Sequence, residues 1–225
     1  MKTRTFDAKR GNVSLLDLLA ILIVVAVMAM MGLAHLARTH ARSARIGCIN
    51  DLKHVGLAFR LWSGDNGDKY PMQISTNSGG TMELIRSGSV FPSFVVISNE
   101  LGTPKLLACP QDTQCAPASS FTALTDSSVS YFVALDADQT VSNLWLSGDR
   151  NLTPDQSPPR PGLLTVTANS RMNWTAQIHQ NKGNLCFADG SVQQLNNAGL
   201  NRYATNALAA YFAATTNTAF RLAIP

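Results

Sequence analysis

Apolar positions crowd the start of the chain: from Leu18 to Ala34 every residue is apolar or glycine. With Val13 to Asp17 the run reaches roughly the 20 residues that a helix needs to cross a bilayer core. The pattern predicts a transmembrane helix over 13–36. A cleaved secretory signal is the competing reading, because basic residues precede the run and Gly32-Leu33-Ala34 offers a small-residue cleavage site. The length of the run and the acid Asp17 near its start weigh towards the anchor. No proline occurs from Met1 to Tyr70, so nothing forces the helix to stop at the membrane. Ala41, Ala44, Cys48, Leu52, Val55, Phe59 and Trp62 recur at three-four spacing and place one apolar stripe on a helix face. Arg42, Arg45, Asn50, Lys53 and Arg60 fall opposite, as on a solvated face. The helix is expected to end near Trp62, where Ser63-Gly64-Asp65-Asn66-Gly67-Asp68 gathers turn formers and Pro71 follows.

Beyond Pro71 the chain reads as short strands between loops. Val129 to Leu135 and Val141 to Leu146 are β-prone, and Leu163 to Ala168 follows the break at Pro158-Pro159-Arg160-Pro161. Asn184 to Phe187 and Ser191 to Leu195 flank Ala188-Asp189-Gly190, a hairpin signal in which glycine suits the positive φ of a type I′ turn. An Ala-rich helix is expected near Tyr203 to Ala214. Together these predict an α+β fold, a long N-terminal helix packed on a small antiparallel sheet. Its parts are a basic leader (1–12), the transmembrane helix (13–36), its amphipathic continuation (37–62) and a globular head (63–225).

Charge sharpens this picture. The net charge of +4 comes largely from Lys2, Arg4, Lys9 and Arg10 before the apolar run and Arg38, Arg42 and Arg45 after it. Such flanks belong to a membrane segment, and they are too evenly divided for the positive-inside rule to choose an orientation. The rest of the chain lacks the basic, aromatic-interleaved stripe of a nucleic-acid binder. Cys48, Cys109, Cys115 and Cys186 form no CxxC metal pair. In an oxidising compartment one or two disulfides are expected, with the pairing open.

The segment Lys9-Arg10-Gly11-Asn12-Val13-Ser14-Leu15-Leu16-Asp17-Leu18-Leu19 resembles the prepilin-type N-terminus of type IV pilins and type II secretion pseudopilins. In that family a glycine precedes the cleavage site, a methylated Phe begins the mature chain, and a glutamate lies a few residues into the apolar helix. Here Gly11, Asn12 and Val13 surround the processing position, and Asp17 stands for the glutamate. Further segments are similar to a large pseudopilin-like group: Cys48 to Ala58, Cys109-Pro110-Gln111-Asp112, Ser130 to Asp138 and Gly148 to Thr153. So is His179 followed, after nine residues, by Asp189-Gly190. The resemblance implies a head outside the cytoplasm on a single-pass inner-membrane helix. It also implies other pilin-like subunits and a prepilin peptidase as partners, and a bond between Cys48 and Cys109.

Candidate chemistry beyond assembly is thin. His179 with Asp189 suggests an envelope hydrolase, yet turn geometry accounts for Asp189-Gly190, and no His-x-x-x-His, GxSxG, Walker or dinucleotide motif is present. Asp65, Asn66 and Asp68 are oxygen-rich enough for calcium but lack EF-hand spacing, so a helix-ending turn explains them better. No cofactor is expected. Gly148-Asp149-Arg150-Asn151 reads as a turn with the option of an exposed recognition loop. Trp62, Trp145 and Trp174 read as core or interface anchors. The expected function is a structural, non-enzymatic pilin-like subunit of a secretion pseudopilus or pilus-like filament. The alternative is a non-polymerising, membrane-tethered binding or sensing module.

Overall fold

The computed structural model describes residues 14–154, 157–158 and 160–225. Helix α1, Leu15–Asp65, has 51 residues. It belongs to two compact units, one ending at Ser43 and one spanning Ala44–Pro225. In the first unit Ser14 caps the helix: its Oγ accepts from the Leu16 N–H at 3.3 Å, and Asp17 Oδ2 accepts from the Ser14 N–H at 3.1 Å. This reciprocal pair is a variant of the capping box in which the hydroxyl takes the N2 rather than the N3 amide. The window Leu15–Leu33 has mean hydropathy 2.7 and none of it is buried. It has the length and composition to cross a membrane, a test that an N-terminal signal sequence passes as well. The leader and the processing positions Gly11, Asn12 and Val13 lie outside the described residues.

In the second unit the predicted stripe is the spine of the core. Cys48, Leu52, Val55 and Phe59 are fully buried and Trp62 nearly so; each fully buried Leu, Val or Phe side chain contributes about 1.5–3 kcal/mol. Arg45 departs from the expected solvated face, being half-buried with its Nε shielded from solvent and, among the described residues, lacking a hydrogen-bond partner. The helix ends at Asp65. Asn66 Nδ2 donates to the Trp62 carbonyl at 2.7 Å, and Asp68 turns the chain with φ 59°. Asp65, Asn66 and Asp68 thus build the turn that stops the helix.

The expectation of strands directly after Pro71 is corrected over 71–128. This stretch holds short helices, α2 (Met82–Ile85), α3 (Phe91–Val96) and α4 (Ser98–Leu101), with single 3₁₀ turns between loops. Pro71, Pro92 and Pro104 sit in the opening turn of three of these pieces, where a missing N–H costs nothing. Asp126 Oδ1 accepts from the Val90 and Phe91 N–H groups at 2.8 and 2.9 Å, supplying the acceptor that Val90 lacks as an N-cap.

The strands follow: β1 (Tyr131–Ala134), β2 (Trp145–Asp149), β3 (Leu152–Pro154), β4 (Gly162–Val166), β5 (Met172–Trp174), β6 (Lys182–Phe187), β7 (Val192–Asn196) and β8 (Phe220–Ile224). Six form an antiparallel sheet in the order β4-β8-β1-β2-β6-β7, while β3 and β5 pair separately. The β6–β7 hairpin forms at Asp189-Gly190 but not as a type I′ turn. Gly190 alone is left-handed (φ 81°), its N–H bonds the Phe187 carbonyl, and the Phe187 N–H bonds the Ser191 carbonyl. This is the three-residue loop with a glycine bulge. Helix α5, Asn197–Ala214, starts earlier than expected because Asn196 accepts from the Gly199 N–H at 2.8 Å. It packs on β5 and on the edge strand β7.

Helix α1 meets the sheet at Gly56, where an added Cβ would lie 2.5 Å from Cys186 Sγ on β6. Gly56→Ala is therefore expected to destabilise the head by about 1–3 kcal/mol through overpacking, despite the better helix propensity of alanine. Adding Cys186→Ala should return most of that loss in urea melts. A single substitution that stabilises the protein would contradict the close approach.

Candidate functional site

The side chains most constrained by their surroundings meet where α1, the 109–112 turn, β2 and the β5–β6 connection converge. Cys48 on α1 is bonded to Cys109, with Cα atoms 5.1 Å apart; Cys115 and Cys186 carry free thiols. His179 Nε2 lies 3.5 Å from Cys109 Sγ. The imidazole is presented by three consecutive left-handed residues, His179, Gln180 and Asn181, with φ of 57°, 54° and 61°. Each such residue costs roughly 1–2 kcal/mol, and the turn persists because its neighbours hold it. Asn151 Nδ2 donates to the Thr175 and Ile178 carbonyls at 2.8 and 3.0 Å, pinning the segment that leads into it.

His179 is fully ringed by polar groups. Its Nδ1 is 2.5 Å from Gln111 Oε1, an acceptor, which assigns the ring proton to Nδ1 and leaves the Nε2 lone pair facing inward. Asn184 Nδ2 reaches Nε2 at 3.1 Å, and Asp149 Oδ2 lies 3.3 Å away. Asp149 Oδ2 also accepts from the Asn184 N–H at 2.7 Å, while its Oδ1 is buried without a hydrogen-bond partner. Burial pushes the Asp149 carboxyl up to about 7 against the hydrogen bonds of Asn184. Burial, with the positive charge of Arg45 added, brings His179 down to about 4.

Those shifts oppose each other in stability. A carboxyl raised in the folded state favours folding at low pH and loses that advantage as pH rises towards 7. An imidazole lowered in the folded state favours folding above 6.5 and loses its advantage as pH falls towards 4. Between these limits the unfolded chain carries one proton on His179 and the folded chain carries one on Asp149, so the two shifts work against each other along the pH axis.

A second network holds the 109–112 turn. The Cys109 N–H donates to Ser130 Oγ at 3.0 Å, and Ser130 Oγ donates to Asp112 Oδ2 at 2.9 Å. Arg150 grips Asp112 with two bonds of 2.6 and 2.9 Å. Burial raises the Asp112 carboxyl, but the hydrogen bonds and charge of Arg150, together with Ser130 and the Gln114 N–H, outweigh it and hold the group below its ordinary value. The segment Gly148-Asp149-Arg150-Asn151 is therefore a buried bracket at the end of β2, not an exposed recognition loop.

The structure gives His179 and Asp189 separate partners. Asp189 shapes its hairpin, its Oδ1 accepting from the Ser191 N–H at 2.8 Å, and its carbonyl accepts from Arg60 Nη1 at 2.6 Å. Asp17 belongs to the helix cap described above. No sequence pattern marks Asp149, Asn184, Gln111, Asp112 and Arg150 as partners of His179 or Cys109, although Gln111 and Asp112 lie in the Cys109-Pro110-Gln111-Asp112 step and Asp149 and Arg150 in the Gly148 to Thr153 segment. Among the described residues, Cys48, Cys109 and His179 bring three ligand-type atoms within 4.8 Å of one another, all buried. That grouping does not by itself make an enzyme. No family model, no curated protein and no solved structure matches the chain.

Proposed function

We propose that the chain is a structural, non-enzymatic pilin-like subunit of a type II secretion pseudopilus or type IV pilus-like filament, anchored in the inner membrane with its head outside the cytoplasm. The observation that carries this reading is the division of α1. Its Leu15–Leu33 stretch is an apolar rod, none of it buried among the described residues, while Cys48 to Trp62 of the same helix is built into the head's core. A rod of this kind is suited to lipid and to bundling with other such helices. A buried Cys48–Cys109 bond favours an oxidising compartment for the head. The partners would be other pilin-like subunits and a prepilin peptidase acting near Asn12 and Val13.

A tethered binding or sensing module is the second reading. It is favoured by the capping box, which gives Asp17 a partner within its own chain. Processing separates the two: intact-mass analysis of membrane-extracted protein should find the chain shortened to Asn12 or Val13, whereas an intact Met1 favours the tether. Orientation is tested by a C-terminal alkaline phosphatase fusion, which should be active; a well-expressed but inactive fusion would contradict an exported head.

A further inference from the structure

We propose that reducing the Cys48–Cys109 bond converts this buried cluster into a divalent zinc site with Cys48 Sγ, Cys109 Sγ, His179 Nε2 and Asp149 Oδ2 as ligands. The inference is independent of the filament reading, since it concerns only the chemistry of the head.

Geometry carries it. With metal–ligand bonds of about 2.3 Å to sulfur and about 2.0–2.1 Å to nitrogen or oxygen, a tetrahedral zinc site has edges of about 3.5 Å between sulfur and nitrogen and about 3.3 Å between nitrogen and oxygen. Cys109 Sγ to His179 Nε2 measures 3.5 Å, and His179 Nε2 to Asp149 Oδ2 measures 3.3 Å. Opening the disulfide frees the second sulfur, on Cys48, within the group of Cys48, Cys109 and His179; Asp149 adjoins that group through His179, and its Oδ2 closes on the sulfurs as the fourth ligand. The surroundings suit an ion too. Gln111 Oε1 takes the Nδ1 proton, the outer hydrogen bond that orients ligating histidines and leaves Nε2 to bind. Asp149 is completely buried, and among the described residues its Oδ1 has no hydrogen-bond partner. Arg45, whose positive charge acts on His179, has its Nε buried without a partner, so a cation stands near the negative charge that two thiolates and a carboxylate bring. On binding, Nε2 would exchange the Asn184 N–H for the ion.

The chemistry balances in two steps. A dithiol reductant breaks the Cys48–Cys109 bond, giving two protein thiols and one reductant disulfide, with two electrons moving from reductant to protein. Zinc then displaces to solvent the two thiol protons, and with them the proton of the Asp149 carboxyl where that group is protonated, with no change in its own oxidation state. Zinc and the disulfide are mutually exclusive, so the cluster can staple α1 to the 109–112 turn in either redox condition.

The test uses the full chain in detergent, reduced, freed of reductant under anaerobic conditions and titrated with cobalt(II), then with zinc. The expected result is one cobalt per chain with the visible bands of a tetrahedral thiolate site, displaced by zinc and absent from the oxidised protein. His179→Gln should weaken binding by roughly tenfold or more, with the bands altered, while Cys115→Ser should leave them unchanged. Near-UV circular dichroism of oxidised His179→Gln establishes that this variant folds. If reduced wild type binds no stoichiometric cobalt, or if it binds identically in His179→Gln, the proposal is overturned. A reduced chain that unfolds and is not restored by zinc overturns it equally.

Discussion

Replacing Cys48 and Cys109 together by alanine should lower the head's unfolding free energy by about 4 kcal/mol. The bond closes a loop with a sequence separation of 61 residues, and chain-entropy arithmetic for a loop of that size gives a loss of this order. Two further effects act in the same direction. Cys48 and Cys109 are both buried, so the truncated sulfurs leave small voids. The left-handed His179–Asn181 turn also loses the sulfur against which its imidazole rests. A urea melt of the oxidised double variant against wild type measures the sum. Cys115→Ser, which removes a half-exposed free thiol, should move the midpoint little. A change below about 1 kcal/mol in the double variant would mean that the bridge is incidental to the fold.

Arg150→Met should cost about 3 kcal/mol at neutral pH, because it leaves the Asp112 carboxylate, only 3% exposed, without its cation. The pH dependence identifies the cause. In the wild type the Asp112 carboxyl is held below its ordinary value of 3.8, so its contribution is fully present above that pH and is lost as pH falls through the lowered value. Without Arg150 the sign reverses. Burial dominates, the carboxyl is raised, and the variant loses stability as pH rises from about 4 towards neutrality. The gap between wild type and variant should therefore be widest near neutrality and narrow on acidification. Adding Asp112→Asn should recover part of the loss, as expected for directly coupled residues. A gap that is constant with pH would show that Arg150 matters for packing rather than charge.

The sequence was most legible where periodicity was long or turn chemistry strong. The Cys48 to Trp62 stripe, the β6–β7 hairpin and a helix before the C-terminus each had a local cause that survives in the folded chain. The short helices of 71–128 do not show in a pattern of strands between loops, because one-turn helices have no period to detect; their order comes from proline-led turns and from Asp126 reaching back to Val90 and Phe91. Strand β8 pairs with β1 and β4, far away in sequence, which no local pattern announces. The buried bracket was hidden for a similar reason. In Trp145-Leu146-Ser147-Gly148-Asp149 the final acid looks like the end of a strand at the surface, and only the Asn184 N–H and His179 supply the partners that allow it to be buried. The left-handed turn at His179, Gln180 and Asn181 contains no glycine, so its backbone shape had no signature either. Ser14-x-x-Asp17, by contrast, is a local helix-start signal that lies inside the membrane pattern.

That cap makes Asp17 the residue on which subunit assembly can be judged most directly. Asp17→Ala removes both the charge and the hydrogen bond to the Ser14 N–H, whereas Asp17→Asn keeps an oxygen for the cap and removes only the charge. If Asp17 pairs with the freed amino group of a neighbouring subunit, losing one partner of a desolvated pair costs several kcal/mol in the assembly, roughly 3–5 by comparison with buried pairs elsewhere. Removing a carboxylate from the edge of an apolar helix leaves insertion intact. The measurement is in-membrane chemical crosslinking of wild type, Asp17→Asn and Asp17→Ala at matched membrane abundance. The account predicts that higher-order species collapse in both variants while membrane abundance holds. Crosslinked species that persist unchanged in both variants would reduce Asp17 to a helix cap and contradict the filament subunit.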